Sequence, residues 1–339
     1  MYGKSEWLAK RVETALEPAL PICDPHHHLW DHHAAFAARY LLDEFLTDID
    51  GGGGGHNIVS TVFLECEAFY GAGGGEAMKP VGEIEAINGI AAMSTSGLYG
   101  KTKVAAGMVG YADLRLGDVL AAEIQAGAGH FRGVRHSSAH DPDDRVIGAD
   151  TANPNGDVFA DPGFRQGFAQ LAPLNLSFDS WLYHPQIPEL ADLARAFPDT
   201  AIVLDHVGGP LGIGPYAGRR DEVFAQWSAN MTALAACPNV HVKLGGLAMK
   251  LTGFGHHKLA EPPSSETLAA DWKPHLLHCI EAFGPDRCMF ESNFPVDRAS
   301  CAYTTLWNAF KHVTADFSAT DKAALYHDTA ARFYRIEED

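Results

Sequence analysis

Eight short runs rich in apolar and β-branched residues recur along the chain: Pro21–His28, Ile58–Phe69, Lys103–Tyr111, Phe131–His136, Leu174–Tyr183, Ala201–Val207, Val240–Leu247 and Arg287–Phe294. Nearly all are separated by stretches with apolar residues at helical spacing, such as Val81–Leu98, Leu116–Ala126, Pro188–Phe197, Asp221–Ala236 and Glu266–Phe283. Residues 4–17 predict a leading helix within segment 1–20. Tyr303–Thr314 and Thr320–Tyr334 predict two closing helices within 303–335. Regular strand–helix alternation implies a parallel sheet, because crossover helices must cover its faces. Eight such units predict an α/β fold of the (β/α)8 TIM barrel type. An open sheet binding a dinucleotide would need a G-x-G-x-x-G after the first strand, and none is present. No break in composition divides residues 1–339, so one domain is expected.

The connections differ in character. Gly51–Gly55 is a run of glycine followed by neither Lys-Ser/Thr nor a helical pattern, which reads as a flexible linker and not a phosphate loop. The long acidic loop Ser137–Pro162 has the length of a lid or binding loop. His32, His33, His256 and His257 fall in loops, where solvated side chains are expected.

The strand ends carry the chemistry. A barrel of this kind builds its site at the C-terminal ends of its strands. Those ends hold His26 and His28, Glu65 and Glu67, Arg135 and His136, Asp179 with Trp181 and His184, Asp205-His206, Lys243, and Glu291-Ser292-Asn293. In an extended strand His26 and His28 face one side and His27 the other. Two imidazoles on one face can share a metal ion or clamp an anion. Trp30, Trp181 and Phe294 would wall a ring-shaped substrate.

Composition narrows the partners. The chain of 339 residues has 43 acidic and 25 basic side chains, a formal net charge of -18. That balance argues against nucleic acid and anionic membrane, and leaves a small-molecule substrate. The six cysteines are scattered without a C-x-x-C pair, as in a reducing compartment. The first twenty residues carry Glu6, Glu13 and Glu17 and do not resemble a signal peptide, so a cytoplasmic protein is expected.

Several stretches together resemble the amidohydrolase superfamily, and within it the metal-optional lactonase branch. They are D-P-H-H-H-L-W at 24–30, F-R-G-V-R at 131–135, L-D-H-V-G-G-P at 204–210, V-K-L-G-G-L at 242–247, F-E-S-N-F-P-V at 290–296 and A-R-F-Y at 331–334. The resemblance implies that His26, His28 and His206 bind a divalent metal, zinc first, or bind substrate directly in a metal-free enzyme. It implies that Arg135 holds a carboxylate or carbonyl oxygen, which its forked guanidinium suits. Glu65, Asp179, Trp181, His184 and Lys243 are further substrate-facing candidates. The chain departs from the branch at its eighth strand. The usual Gly-Ser-Asp-Trp-Pro is Glu291-Ser292-Asn293-Phe294-Pro295 here. Asn293 cannot serve as a base, so Glu291, Glu65 and Asp179 become candidates for that role. The expected activity is hydrolysis of a lactone bearing a carboxylate or several hydroxyls. The alternatives are a metal-dependent decarboxylase of an aromatic or muconate-like acid, and a barrel used only for binding. A homodimer is a family-level expectation.

Overall fold

In the computed structural model, residues 5–33, 38–73, 75–116, 119–146 and 156–337 are described. Eight strands follow the chain: β1 (Ile22–His27), β2 (Ile58–Leu64), β3 (Lys103–Tyr111), β4 (Phe131–Ser137), β5 (Ser177–Trp181), β6 (Ile202–Leu204), β7 (Val240–Leu244) and β8 (Cys288–Phe290). Each pairs in parallel with the next, from β1 to β8. Closure comes from the residues just beyond β8. Asn293 N–H donates to His26 O at 2.9 Å, and His28 N–H donates to Phe294 O at 2.8 Å. The fold is the (β/α)8 barrel that the alternation predicts.

Strand parity sorts the side chains. Ile22, Phe63, Val134, Phe178, Ile202, Leu204, Val242, Leu244 and Phe290 face the surrounding helices in one large apolar cluster. Cys23, Val62, Leu64, Val109, Val203 and Met289 point into the barrel and meet Ala330, Phe333 and Tyr334 from the C-terminal segment. That segment therefore plugs the base of the barrel. The Tyr334 hydroxyl rises from it to donate to Asp179 Oδ2 at 2.5 Å. The A-R-F-Y stretch is this plug.

Several local expectations change. The leading helix is one turn, Ser5–Leu8. The residues after it instead lie along the C-terminal helix, where Leu16 N–H donates to Asn308 Oδ1 and Lys311 Nζ donates to the Leu16 and Glu17 carbonyls. A helix absent from the sequence reading, Leu42–Asp50, sits in the segment after β1 and buries Leu42, Phe45 and Ile49. Gly51–Gly55 is its compact exit, not a loose linker: Gly51 is left-handed (φ 56°), and a Cβ on Gly55 would stand 2.0 Å from Ile49 O. The last predicted helix contains a π turn, Ala324–Asp328, between Ala319–Ala323 and Thr329–Phe333. β2 ends at Leu64, and Glu67 follows with φ 63°, so Glu65 and Glu67 do not share a strand face. His256 is buried, stacked on Phe254 and bonded to Asp271 at 2.8 Å. His33 bonds the Cys66 carbonyl at 2.6 Å. Neither is a solvated surface group, whereas the His32 side chain is 99% exposed. Of the acidic loop, residues 147–155 lie outside the described residues. No helix among the described residues is long and apolar enough to cross a membrane.

Candidate active site

β1 delivers its histidines in the alternation its sequence dictates. His27 turns outward, stacks on Phe45 and bonds Thr61 Oγ1 at 2.8 Å. His26 and His28 turn inward, with their Nε2 atoms 3.1 Å apart. A register shift between Asp24 and His27 re-aims this stretch. Asp24 secures it, accepting from His26 N–H, Ser292 N–H and the Tyr303 hydroxyl. Burial pushes the Asp24 carboxyl up to about 6.

The ring protons can be assigned from their acceptors. His28 Nδ1 lies 2.8 Å from the Leu64 carbonyl, which can only accept, so Nδ1 carries the proton and Nε2 a lone pair. His26 Nδ1 lies 2.9 Å from Glu291 Oε2 and His206 Nδ1 lies 2.7 Å from Glu291 Oε1. Burial alone would raise the Glu291 carboxyl, but the His206 and His26 imidazoles outweigh it and hold it at about 2. Beside that anion His206 Nδ1 carries a proton, whereas His26 Nδ1 also lies 3.2 Å from Lys243 Nζ, an ammonium that can only donate, and so holds a lone pair. Burial, with Lys243 adding to it at His26 and Arg135 at His28, keeps both of these rings neutral. The neutral His26 ring therefore carries its proton on Nε2 and donates it to the His28 Nε2 lone pair across 3.1 Å.

Glycines in the V-K-L-G-G-L stretch make room for this. A Cβ on Gly245 would stand 2.3 Å from Glu291 Cγ, and one on Gly246 (φ 66°) would stand 2.5 Å from His206 Cβ. His206 itself has φ 55° and Asn293 φ 53°. The chain thus turns left-handed immediately after β6 and near the end of β8, where the polar groups gather.

Below the histidines lies a layer of charge. Lys243 Nζ is 2.7 Å from Asp179 Oδ2, 3.0 Å from Asp205 Oδ1 and 3.2 Å from His26 Nδ1. Burial opposes its charge, but Asp179 and Asp205 outweigh burial and raise its proton affinity. Arg135 spends Nε on Glu65 Oε1 (2.8 Å) and Nη2 on the Glu65 carbonyl, which leaves Nη1 at 3.9 Å from Asp205 Oδ2. Burial lifts the Asp179 carboxyl, and despite Lys243 it sits at about 6. Glu65, Asp179, Asp205 and Glu291 thus face two fixed cations, Arg135 and Lys243, a surplus of two negative charges. In response the proton affinity of His206 rises: burial lowers it, and Glu291 more than restores it.

A divalent cation suits such a donor set. His26, Asp205 and His206 each offer a ligand atom, all within 4.8 Å of one another, and all three are buried. Two imidazole ligands of one zinc stand about 3.3 Å apart, from Zn–N bonds near 2.05 Å in tetrahedral arrangement. The 3.1 Å between His26 and His28 lies close to that value. A cation would also offset the surplus negative charge.

The other sequence candidates fall into place around this centre. Trp181 sets its ring against His206, centroids 4.9 Å apart. Asn293 is buried, and its Nδ2 donates to Asp297 Oδ1 at 3.0 Å. His184 is fully buried away from the cluster, accepting at Nδ1 from Leu211 N–H and packing on Tyr216. His136 faces outward between Tyr111 and Phe164 and takes no part. Two residues carry weight that the sequence reading did not give them. In the sequence Asp205 stands out only as the neighbour of His206. Asp297 was not singled out; burial pushes its carboxyl up to about 8, against the pull of His206. A carboxylate one turn beyond a polar strand end has no periodic signature.

Comparison with known proteins agrees with this geometry. The sequence pattern of the family described as Amidohydrolase matches residues 23–336. The chain is 35% identical over 339 residues to the uncharacterized protein y4mH of Sinorhizobium fredii (strain NBRC 101917 / NGR234), covering 94% of this chain and 99% of that one. It is 28% identical over 238 residues to an L-fucono-1,5-lactonase of Burkholderia multivorans (strain ATCC 17616 / 249), covering 69% and 72%. Among solved structures, an amidohydrolase from Burkholderia multivorans with bound zinc superposes with a TM-score of 0.71 at 24% identity, over 93% and 99% of the two chains.

Proposed function

The chain belongs to the amidohydrolase family, and from that premise we propose that it hydrolyses a lactone of a polyhydroxylated or carboxylated small molecule. The observation that carries this reading is the meeting of His26, Asp205 and His206 at the barrel mouth, beside Arg135. The likeness to the L-fucono-1,5-lactonase supports the substrate class.

The residues divide the work. Glu291 fixes the tautomer of His206 by accepting from its Nδ1–H, and sets its second oxygen 2.9 Å from His26 Nδ1. His26, His28, His206 and Asp205 would hold a divalent ion, zinc first. Bound there, it supplies Lewis-acid polarisation of the lactone carbonyl. Arg135 Nη1, not spent on Glu65, donates to a substrate oxygen. Asp205 Oδ2 makes no hydrogen bond among the described residues and faces Arg135 Nη1 at 3.9 Å, so it is the group that takes a proton from the attacking water. The water oxygen bonds to the carbonyl carbon, the ring C–O bond breaks, and the proton held on Asp205 passes to the departing ring oxygen. The product is a hydroxy acid, which ionises and releases one proton. Asp179, bonded to Lys243 and Tyr334, anchors the layer beneath and is not the base.

The test offers sugar 1,5- and 1,4-lactones in weak buffer with a pH indicator, beside aromatic carboxylic acids with detection of CO2. Catalysed acid release from a lactone that disappears in Asp205→Asn is expected. Release of CO2, or turnover of none of the lactones, would overturn the proposal.

A further inference from the structure

A cavity of mixed polar and apolar lining lies on the same side of the barrel, beyond the His206 loop. It measures about 170 Å³ and is lined by Pro210, Tyr216, Arg220, Thr252, Phe254 and His275, among others. Most of its polar groups are committed. The Tyr216 hydroxyl donates to Asp141 Oδ2, Thr252 Oγ1 donates to the Leu247 and Met249 carbonyls, and Gly212 N–H donates to Leu251 O. Two groups are not. Arg220 lies flat over the Phe254 ring, its guanidinium carbon 4.0 Å from the centroid. Among the described residues its side chain makes no hydrogen bond or ion pair. Arg220 is exposed, so solvent reaches it, yet every other arginine finds a carboxylate or a carbonyl. Even the adjacent Arg219 is paired, with Glu222. His275 is only 6% exposed and packs on Trp227 and Phe224, yet its Nδ1 has no hydrogen-bond partner among the described residues.

We infer that this cavity binds a small carboxylate. The stacked guanidinium presents a planar fork that matches two carboxylate oxygens. A neutral, buried imidazole with an unused ring nitrogen adds a donor that does not repel an anion's neighbouring cation. Burial and Arg220 keep His275 neutral, at about 4. Phe254 and Pro210 give the carbon side of the ligand an apolar wall. The volume admits an acid of a few carbons, since liquid water takes about 30 Å³ per molecule. The carboxylate can be a free acid or a remote arm of the lactone substrate.

The experiment titrates the full-length protein with sodium propionate at constant ionic strength, reading tryptophan fluorescence. Trp227 lies 4.8 Å from His275 and reports directly. Saturable binding is expected, weakened at least tenfold by both Arg220→Gln and His275→Phe, with circular dichroism checking that each variant is folded. Two further arms identify the source. A rise in KM confined to carboxylated lactones in Arg220→Gln assigns the site to a substrate arm. A change in kcat on adding propionate, lost in the variant, assigns it to a free acid. Absence of saturable binding by the wild type, or equal binding by Arg220→Gln, overturns the inference. The binding arm stands independently of the lactonase reading.

Discussion

Glu291→Gln isolates the carboxylate that holds His206 and sets its charge beside His26. In the native chain Oε1 receives His206 Nδ1–H at 2.7 Å and His206 N–H at 3.0 Å, while Oε2 lies 2.9 Å from His26 Nδ1. Glutamine fills the same volume, which Gly245 keeps clear, but offers one acceptor in place of two. With the amide oxygen kept on His206, its NH2 faces His26 Nδ1, beside Lys243 Nζ, and a second donor there holds the His26 proton on Nε2, bonded to His28 Nε2 across 3.1 Å. The carboxylate that would let that proton move to Nδ1 and free Nε2 for a cation is gone. Losing such an orienting partner costs about 10- to 100-fold in metal affinity or activity, or roughly 1.4–2.7 kcal/mol. The variant also halves the surplus negative charge beneath the histidines. The assay is competition for zinc between chelator-stripped protein and a chromophoric chelator, with turnover measured after reloading. A Glu291→Gln protein that binds zinc as tightly as the wild type and turns over equally would refute this account of the tautomers.

Two other substitutions probe neighbouring features. Gly246→Ala forces a Cβ to 2.5 Å from His206 Cβ at φ 66°, so turnover should fall at least tenfold, with a stability loss of about 1–3 kcal/mol in thermal melts. Gly89→Ala, in the helix Val81–Thr95 with nothing within 4 Å of the new Cβ, should instead gain about 0.5–1 kcal/mol; a matching loss in both variants would contradict the geometry. Asp297→Asn keeps an acceptor for Asn293 but cannot ionise. The native carboxyl titrates near 8 against an ordinary 3.8, so its stabilising contribution is complete below pH 4 and is lost as pH rises through 8. The penalty above that range is on the order of 5 kcal/mol at most. In chelator-stripped protein the variant should melt well above the wild type at pH 9 and close to it at pH 4, and parallel melting curves at both would count against it.

Much of this was legible in the sequence where side-chain parity governs. Alternation placed His26 and His28 inward and His27 outward, and the strand count gave the barrel. Parity should also have excluded His136, which follows the inward Arg135 and faces the helices. What escaped depends on contacts between distant strands. Glu291 is a candidate base in the sequence, yet its two histidine neighbours come from β1 and the turn after β6, and only the assembled barrel shows one oxygen bonded to His206 and the other 2.9 Å from His26 Nδ1. Asp205 gained its importance from the left-handed turn at His206, which lets consecutive residues serve one centre. The short helix Leu42–Asp50 was hidden because Asp43, Glu44, Thr47, Asp48 and Asp50 mask a narrow apolar stripe. The leading helix failed because bonds to Asn308 and Lys311 win over the local preference of residues 9–17.

The most direct test of the central claim is a zinc titration of chelator-stripped protein, following lactone hydrolysis and bound metal together. Turnover absent in the stripped protein, rising linearly to one zinc per chain and then level, and absent throughout in Asp205→Asn, is the predicted result. Undiminished lactone hydrolysis by folded, metal-stripped protein would contradict the claim that His26, His28, His206 and Asp205 form a cation-dependent centre.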